Sequence, residues 1–268
     1  MSNLASRALS GVVAIPLLTL LILWERRIGF GVLILVCSLI GMREFAAMLL
    51  PTLSKTSRAI VMAAGVGLTA GLYFRPDLAL LWMLAALVAG ATTVLLAPGE
   101  IAGAGARLGL VILGLLYVGA LTAPLGLLHR QLPDGPLWVL TTIGATFAND
   151  TGAYFAGRAL GRHKLYPAIS PGKTVEGAFG GLAASIGALF LCRATFFSAL
   201  SPADCLLVAI PAAILGPTGD LVESMLKRAA GVKDSGHLIP GHGGLLDRLD
   251  ALLFVSAWVY AYALYLRP

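Results

Sequence analysis

The run Gly216–Asp250, GPTGDLVESMLKRAAGVKDSGHLIPGHGGLLDRLD, concentrates charge in a chain that otherwise avoids it. Five of the thirteen acidic residues lie there, Asp220, Glu223, Asp234, Asp247 and Asp250, interleaved with Lys227, Arg228, Lys233 and Arg248. Read as a helix, Asp220, Glu223, Ser224 and Lys227 recur at spacings of three, four and seven, which puts them on one face. Asp247 and Asp250 also lie three apart, at the start of the last apolar stretch. Between the two acidic faces, residues 231–244 form a loop in which Pro240, Gly241, Gly243 and Gly244 surround His242 and let backbone approach a ligand closely. Carboxylates on separate helices beside Lys and Arg suit a divalent cation and a polyphosphate: hard oxygen ligands hold magnesium while the cations neutralise phosphate oxygens. A merely solvated polar loop has no need of Asp220 and Glu223 inside a helix.

A second constellation precedes it. In TFANDTGAYFAGRALG, Asn149 and Asp150 fall inside an apolar span, where a carboxylate costs on the order of 3 kcal/mol and so faces a cavity or a partner. An interhelical hydrogen bond, or an ion pair to Arg158, is the structural alternative. GRHKLYPAISPGKTVEGAFGG follows, and its Gly172-Lys173-Thr174 imitates the end of a P-loop. The glycine that motif needs five residues earlier is Pro167, and no buried strand precedes it, so a Walker fold is excluded. Ser170, Gly172, Lys173 and Thr174 are instead expected at a helix start, where free N–H groups favour an anion. Glu176 either belongs to that site or simply stabilises the helix dipole.

The run S-x-x-K-R-x4-K-D-S-x4-P-x-H-G-G-x-x-D-R-x-D, Ser224 through Asp250, resembles the signature of the CDP-diacylglycerol synthases, or phosphatidate cytidylyltransferases. Residues 170–177, SPGKTVEG, are similar to a stretch upstream of that signature, so the resemblance covers about residues 145–266. It implies the reaction of CTP with phosphatidate to give CDP-diacylglycerol and pyrophosphate, and a homodimer as the assembly. The residues agree with that chemistry. A lipid phosphate monoester is already nucleophilic at neutral pH, so the site must supply positioning and charge neutralisation rather than a strong base. Asp220 and Asp247 are then expected to hold magnesium, with Asp250, Asp150 and Glu223 as further ligands and enough carboxylates for a second cation. Lys173, Lys227, Arg228, Lys233 and Arg248 would bind phosphates; among these, Lys227 and Arg248 are assigned to catalysis with Asp220 and Asp247. Asn149, Ser170, Thr174 and Ser224 offer neutral hydrogen bonds, and His242 is read first as a donor to phosphate or a loop organiser, and second as a proton carrier.

The elements that must position these residues are membrane helices. Of 268 residues, 58% are hydrophobic and 12% charged, against about 45–50% and 25% in soluble domains. The fold class is therefore all-α, a polytopic membrane protein. Spans of about 20 apolar residues cross a bilayer, and nine are expected: 8–24, 28–49, 59–75, 78–97, 108–128, 137–157, 175–192, 205–226 and 249–266. The first lacks a small-residue cleavage site and is kept as a helix. Residues 1–130 read as N-terminal transmembrane helices and 131–268 as the catalytic region of one membrane domain. Gly216-Pro217-Thr218-Gly219 should break the eighth helix and open a polar funnel toward the cytoplasm. Trp24, Tyr73, Trp82 and Tyr117 read as interface or packing residues, and Arg43 with Glu44 as a local ion pair before a site contribution. Cys37, Cys192 and Cys205 form no C-x-x-C pair and imply neither a disulfide framework nor a zinc site.

With the N-terminus inside, thirteen of the nineteen Lys and Arg fall on the inner side, which favours a cytoplasmic site; the family resemblance implies a bacterial inner membrane as the location. The net charge of +6 then reads as a collar for anionic lipid and nucleotide, with no nucleic-acid module. Two rivals remain. An ion-coupled carrier would also carry intramembrane acids and a broken helix, but the first half holds no second copy of the Asp220–Asp250 pattern. An enzyme of the same class could use a polyprenol or isoprenoid phosphate as acceptor.

Overall fold

In the computed structural model, which describes residues 16–24, 28–238 and 243–267, the apolar runs become helices whose ends follow local capping chemistry. Residues 16–23 form α1, followed by α2 (Ile28–Leu49), α3 (Lys55–Phe74), α4 (Ala79–Leu96), α5 (Ala104–Gly114), α6 (Ala123–Gln131) and α7 (Gly135–Leu160). After a short hairpin come α8 (Val175–Thr195), α9 (Pro202–Ala229) and α10 (Leu246–Ala261). Ser54 caps α3 by accepting the Ser57 N–H at 3.0 Å, and Thr174 caps α8 by accepting the Gly177 N–H at 3.0 Å. At α9, Ser201 Oγ accepts the Asp204 N–H at 3.1 Å while Asp204 Oδ2 accepts the Ser201 N–H at 2.7 Å. That reciprocal box, with Pro202 at the first helical position, satisfies donors that a helix start otherwise leaves open.

Seven helical stretches among the described residues are long and apolar enough to cross a membrane. They match seven of the nine expected spans. The first expected span is described only over 16–24, and α7, although 26 residues long, is outside the seven because Asn149, Asp150 and Arg158 dilute its apolar surface. The expected span 108–128 is one stretch, Ile101–Gln131, that passes through a π-helical segment at Leu115–Ala120.

Two compact units emerge: residues up to Leu127 together with Ala230–Asp247, and Leu128–Ala229 together with Arg248 onward. In the first, α2, α3 and the π segment are tied by a buried polar chain. Ser38 Oγ meets Thr69 Oγ1 at 2.7 Å, and Thr69 donates to the Gly119 carbonyl at 2.6 Å. In the second, α7, α8 and α9 pack side by side. Gly152 and Gly180 let α7 and α8 approach so closely that a Cβ on Gly180 would lie 2.9 Å from the Gly152 carbonyl oxygen.

Three further expectations change. The eighth expected helix is not broken at Gly216–Gly219, because α9 runs unbroken for 28 residues with Pro211 and Pro217 inside it. Neighbouring helices absorb the missing N–H of a membrane proline, so the funnel loses that premise. Ser170–Thr174 is not a helix start. It is strand β2, paired antiparallel with β1 (Lys164–Tyr166), and only Thr174 reaches the helix, as its cap. Glu44 does not pair with Arg43; its carboxylate turns to the 235–246 loop instead.

Candidate active site

Helix periodicity builds the centre of the site in the second unit. Asp220 and Ser224 stand one turn apart on α9, and Ser224 Oγ donates to Asp220 Oδ1 at 3.2 Å. The hairpin brings up Lys173, whose Nζ lies 2.7 Å from Asp220 Oδ2 and donates to the Pro217 carbonyl at 3.4 Å. Three residues on, Glu223 is fully buried and accepts from Lys227 at 2.5 Å, so this pair is neutralised within α9. The charges of Asp220, Lys173 and Arg248 act on Asp150 from α7, and those of Asp220, Lys227 and Asp150 act on Asp250 from α10. Three carboxylates from three helices therefore share one neighbourhood with three cations.

Asn149 stands beside this group with 1% exposure, and neither its Oδ1 nor its Nδ2 has a hydrogen-bond partner among the described residues. Glycine makes room for it: a Cβ on Gly181 of α8 would lie 2.4 Å from Asn149 Oδ1. Leaving a buried amide unsatisfied costs about 1–3 kcal/mol per group. Asn149→Leu removes both polar atoms at similar shape. If Asn149 serves a bound ligand, turnover falls on the order of tenfold while thermal stability holds or rises; if it serves only the fold, activity stays and stability alone changes.

The first unit holds the other half of the motif run, and here the structure gives a structural role to Glu44, which the sequence reading took first as the ion-pair partner of Arg43. Glu44 of α2, only 7% exposed, accepts the Leu245 N–H at 3.0 Å, the Leu246 N–H at 2.8 Å and the Ser235 hydroxyl at 3.3 Å. It thereby caps the start of α10 from another helix, satisfying donors that α10 cannot satisfy itself. Asp247 clamps the same loop. Its Oδ2 accepts from Ser235 N at 2.9 Å, Ser235 Oγ at 2.9 Å and Gly244 N at 2.8 Å. The two glycines of the motif follow from this geometry. Gly243 has φ +80°, and a Cβ on Gly244 would meet Glu44 Oε2 at 2.6 Å. Glu44→Gln turns an N–H₂ toward one of those backbone donors and is expected to cost about 1–3 kcal/mol of local stability, read as faster hydrogen exchange at residues 244–247.

The remaining sequence-derived residues are placed as follows. Thr174 uses its hydroxyl as the α8 cap, and Ser170 lies in β2 opposite Tyr166. Lys233 is exposed in the loop of the first unit, and Arg228 is exposed near the end of α9. Glu176 accepts the Arg162 and His163 N–H groups at 3.1 and 3.2 Å and meets His163 Nδ1 at 2.6 Å, so it ties the end of α7 to the start of α8. His242 lies outside the described residues. As a donor set, Asp150, Asp220 and Asp250 suit a hard divalent cation, being oxygen-only and mutually repulsive. Among the described residues no three acid, histidine or cysteine side chains form a ready-made metal cluster, and Lys173 is the cation that meets Asp220.

Such a set, with Asp220 and Asp250 on helices able to cross a bilayer, defines a class: a membrane-embedded enzyme that handles phosphate groups. The chain belongs to the cytidylyltransferase family, whose model matches residues 5–266. It is 33% identical over 269 residues to the phosphatidate cytidylyltransferase of Brucella suis biovar 1 (strain 1330), covering all of this chain and 96% of that one. Over 159 residues it is 38% identical to the phosphatidate cytidylyltransferase of Bacillus subtilis (strain 168), covering 58% and 57% of the two chains. A third protein of that name, from Staphylococcus haemolyticus (strain JCSC1435), is 48% identical over 122 residues, 46% of this chain and 47% of that one.

Proposed function

We propose that the chain transfers CMP from CTP to phosphatidate, giving CDP-diacylglycerol and pyrophosphate for phospholipid synthesis. The full-length similarity to phosphatidate cytidylyltransferases supports this reading, and the observation that carries it at the site is Lys173 set against Asp220 beside Asp150 and Asp250. In the reaction, a phosphate oxygen of the lipid attacks the α-phosphorus of CTP, a new P–O–P bond forms, and the bond to the β-phosphate breaks to release pyrophosphate. Lys173, Lys227 and Arg248 bind and screen the phosphates so that two anions can meet. Asn149 and Ser224 orient them through neutral hydrogen bonds, as do Ser170 and Thr174 from the hairpin, with Arg228, Lys233 and His242 as further phosphate contacts.

The cation proposed for this site is magnesium, held by Asp220 with Asp150 and Asp250; Asp247, one turn before Asp250 on α10, and Glu223 complete the set, with capacity for a second ion. Its chemistry would be charge neutralisation at the phosphates. The proposed location is a bacterial cytoplasmic membrane with the site on the cytoplasmic side, supported by bacterial relatives and by the inner-side excess of Lys and Arg.

The test is to incubate the purified protein with α-labelled CTP and, in parallel, phosphatidate, a polyprenyl phosphate or no lipid. Labelled lipid formed with phosphatidate alone, with release of pyrophosphate, is the expected result. Product with the polyprenyl phosphate and none with phosphatidate would reassign the acceptor, and no nucleotide-lipid product at all would remove the enzyme reading.

A further inference from the structure

The first unit contains a groove whose lining includes none of the residues assigned to the proposed reaction. It has a volume of about 750 Å³ and runs between α2 and α3, within the size range of small-molecule sites. Its lining is sharply divided. Arg43, near the end of α2, and Lys55 and Arg58, at the start of α3, gather at the hairpin end, whereas the rest is apolar and mostly small, from Leu39 to Met62, Val66 and Ala70. From Arg58 to Ala70 the 1.5 Å rise per residue gives about 18 Å of helix, comparable to an extended acyl chain. None of the three cations makes an ion pair or a side-chain hydrogen bond with a described residue, since Glu44, the acid beside them, is turned to the 235–246 loop.

We propose that this α2–α3 groove binds an anionic phospholipid of the bilayer, its acyl chain along Leu39, Val66 and Ala70 and its phosphate held by Arg43, Lys55 and Arg58. An amphiphile matches both halves of the lining: the apolar length has no use for a soluble anion, and the cationic mouth has no use for a neutral lipid. A second copy of the chain fits poorly. A two-fold contact places the same patch against itself, and α3 has no acid while the single acid of α2 is the occupied Glu44. Cation would then face cation. The site stands whether or not the proposed reaction is correct, because no residue of the Asp220 cluster takes part in it.

Full-length protein in phosphatidylcholine nanodiscs, doped with a phosphatidate analogue that carries a photoactivatable acyl chain, provides the test. Label is expected on α2 and α3 peptides, displaced by unlabelled phosphatidylglycerol and not by added phosphatidylcholine. The triple variant Arg43→Ala, Lys55→Ala, Arg58→Ala should lower that labelling on the order of tenfold or more. Gly67→Leu should block the groove independently of charge: a Cβ there meets nothing within 4 Å, so the new side chain enters open space without backbone strain. Equal displacement by phosphatidylcholine, or labelling unchanged in both variants, overturns the proposal. So does full displacement by inorganic phosphate alone, which would mark a simple anion site. Absent labelling together with ready disulfide trapping of Ala63→Cys between copies would assign the groove to a second chain. The competition in unaltered protein keeps the test decisive even if a variant misfolds.

Discussion

Asp220→Asn is expected to lower CMP transfer on the order of 10²–10³-fold, the range for losing one preorganised charge at a reacting phosphate, while leaving the protein folded and inserted. The substitution is conservative in shape. An amide oxygen can still accept from Ser224, and Lys173 keeps the Pro217 carbonyl as a second partner. The stability cost should be small, because the Lys173–Asp220 pair is partly exposed, at 23% and 37%, and such pairs contribute about 0–1 kcal/mol. What is lost is the negative charge that both holds Lys173 and serves as the proposed cation ligand. Turnover with labelled CTP, alongside helical content and monodispersity of the purified variant, checks the split. Normal turnover in the presence of magnesium would remove Asp220 from the mechanism.

Asp247→Asn separates two roles that one carboxylate combines. Its Oδ2 takes three hydrogen bonds from Ser235 and Gly244, and an asparagine carbonyl placed there, with two lone pairs, can keep the two from backbone N–H groups. Asp247→Ala cannot. The loop should therefore stay protected from hydrogen exchange across residues 235–245 in the Asn variant and open in the Ala variant. Activity should fall in both by a similar factor, on the order of 10² or more, if the charge itself is needed. An Asn variant with near-normal turnover and an inactive Ala variant would make Asp247 a loop organiser and withdraw it from the metal set.

The helices were legible in the sequence because each needs only local information, an apolar run of sufficient length. The Asp220–Ser224 and Glu223–Lys227 pairs were legible for the same reason, being fixed by helical spacing. The hairpin was not. Its strands of three and five residues are mostly exposed and contain Pro171 and Gly172, so they show no alternation between buried and exposed positions. Glu44 was hidden more deeply. Its neighbour Arg43 offers an obvious pairing in sequence, whereas its observed partners lie 201 and 202 residues away, and nothing in local spacing encodes that. The continuity of α9 was missed because Pro217 signals a break locally, while the packing that tolerates it is tertiary.

The capping of α10 by Glu44 bears on how this chain can be divided. A fragment beginning near residue 130 would retain every motif residue from Asn149 to Asp250, yet it would strip Leu245 and Leu246 of the acceptor that anchors them. Co-expressing the missing N-terminal portion should restore what such a truncation abolishes, and a chimera assembled from two homologues should work only when its donor halves preserve that acid and its loop as a matched set.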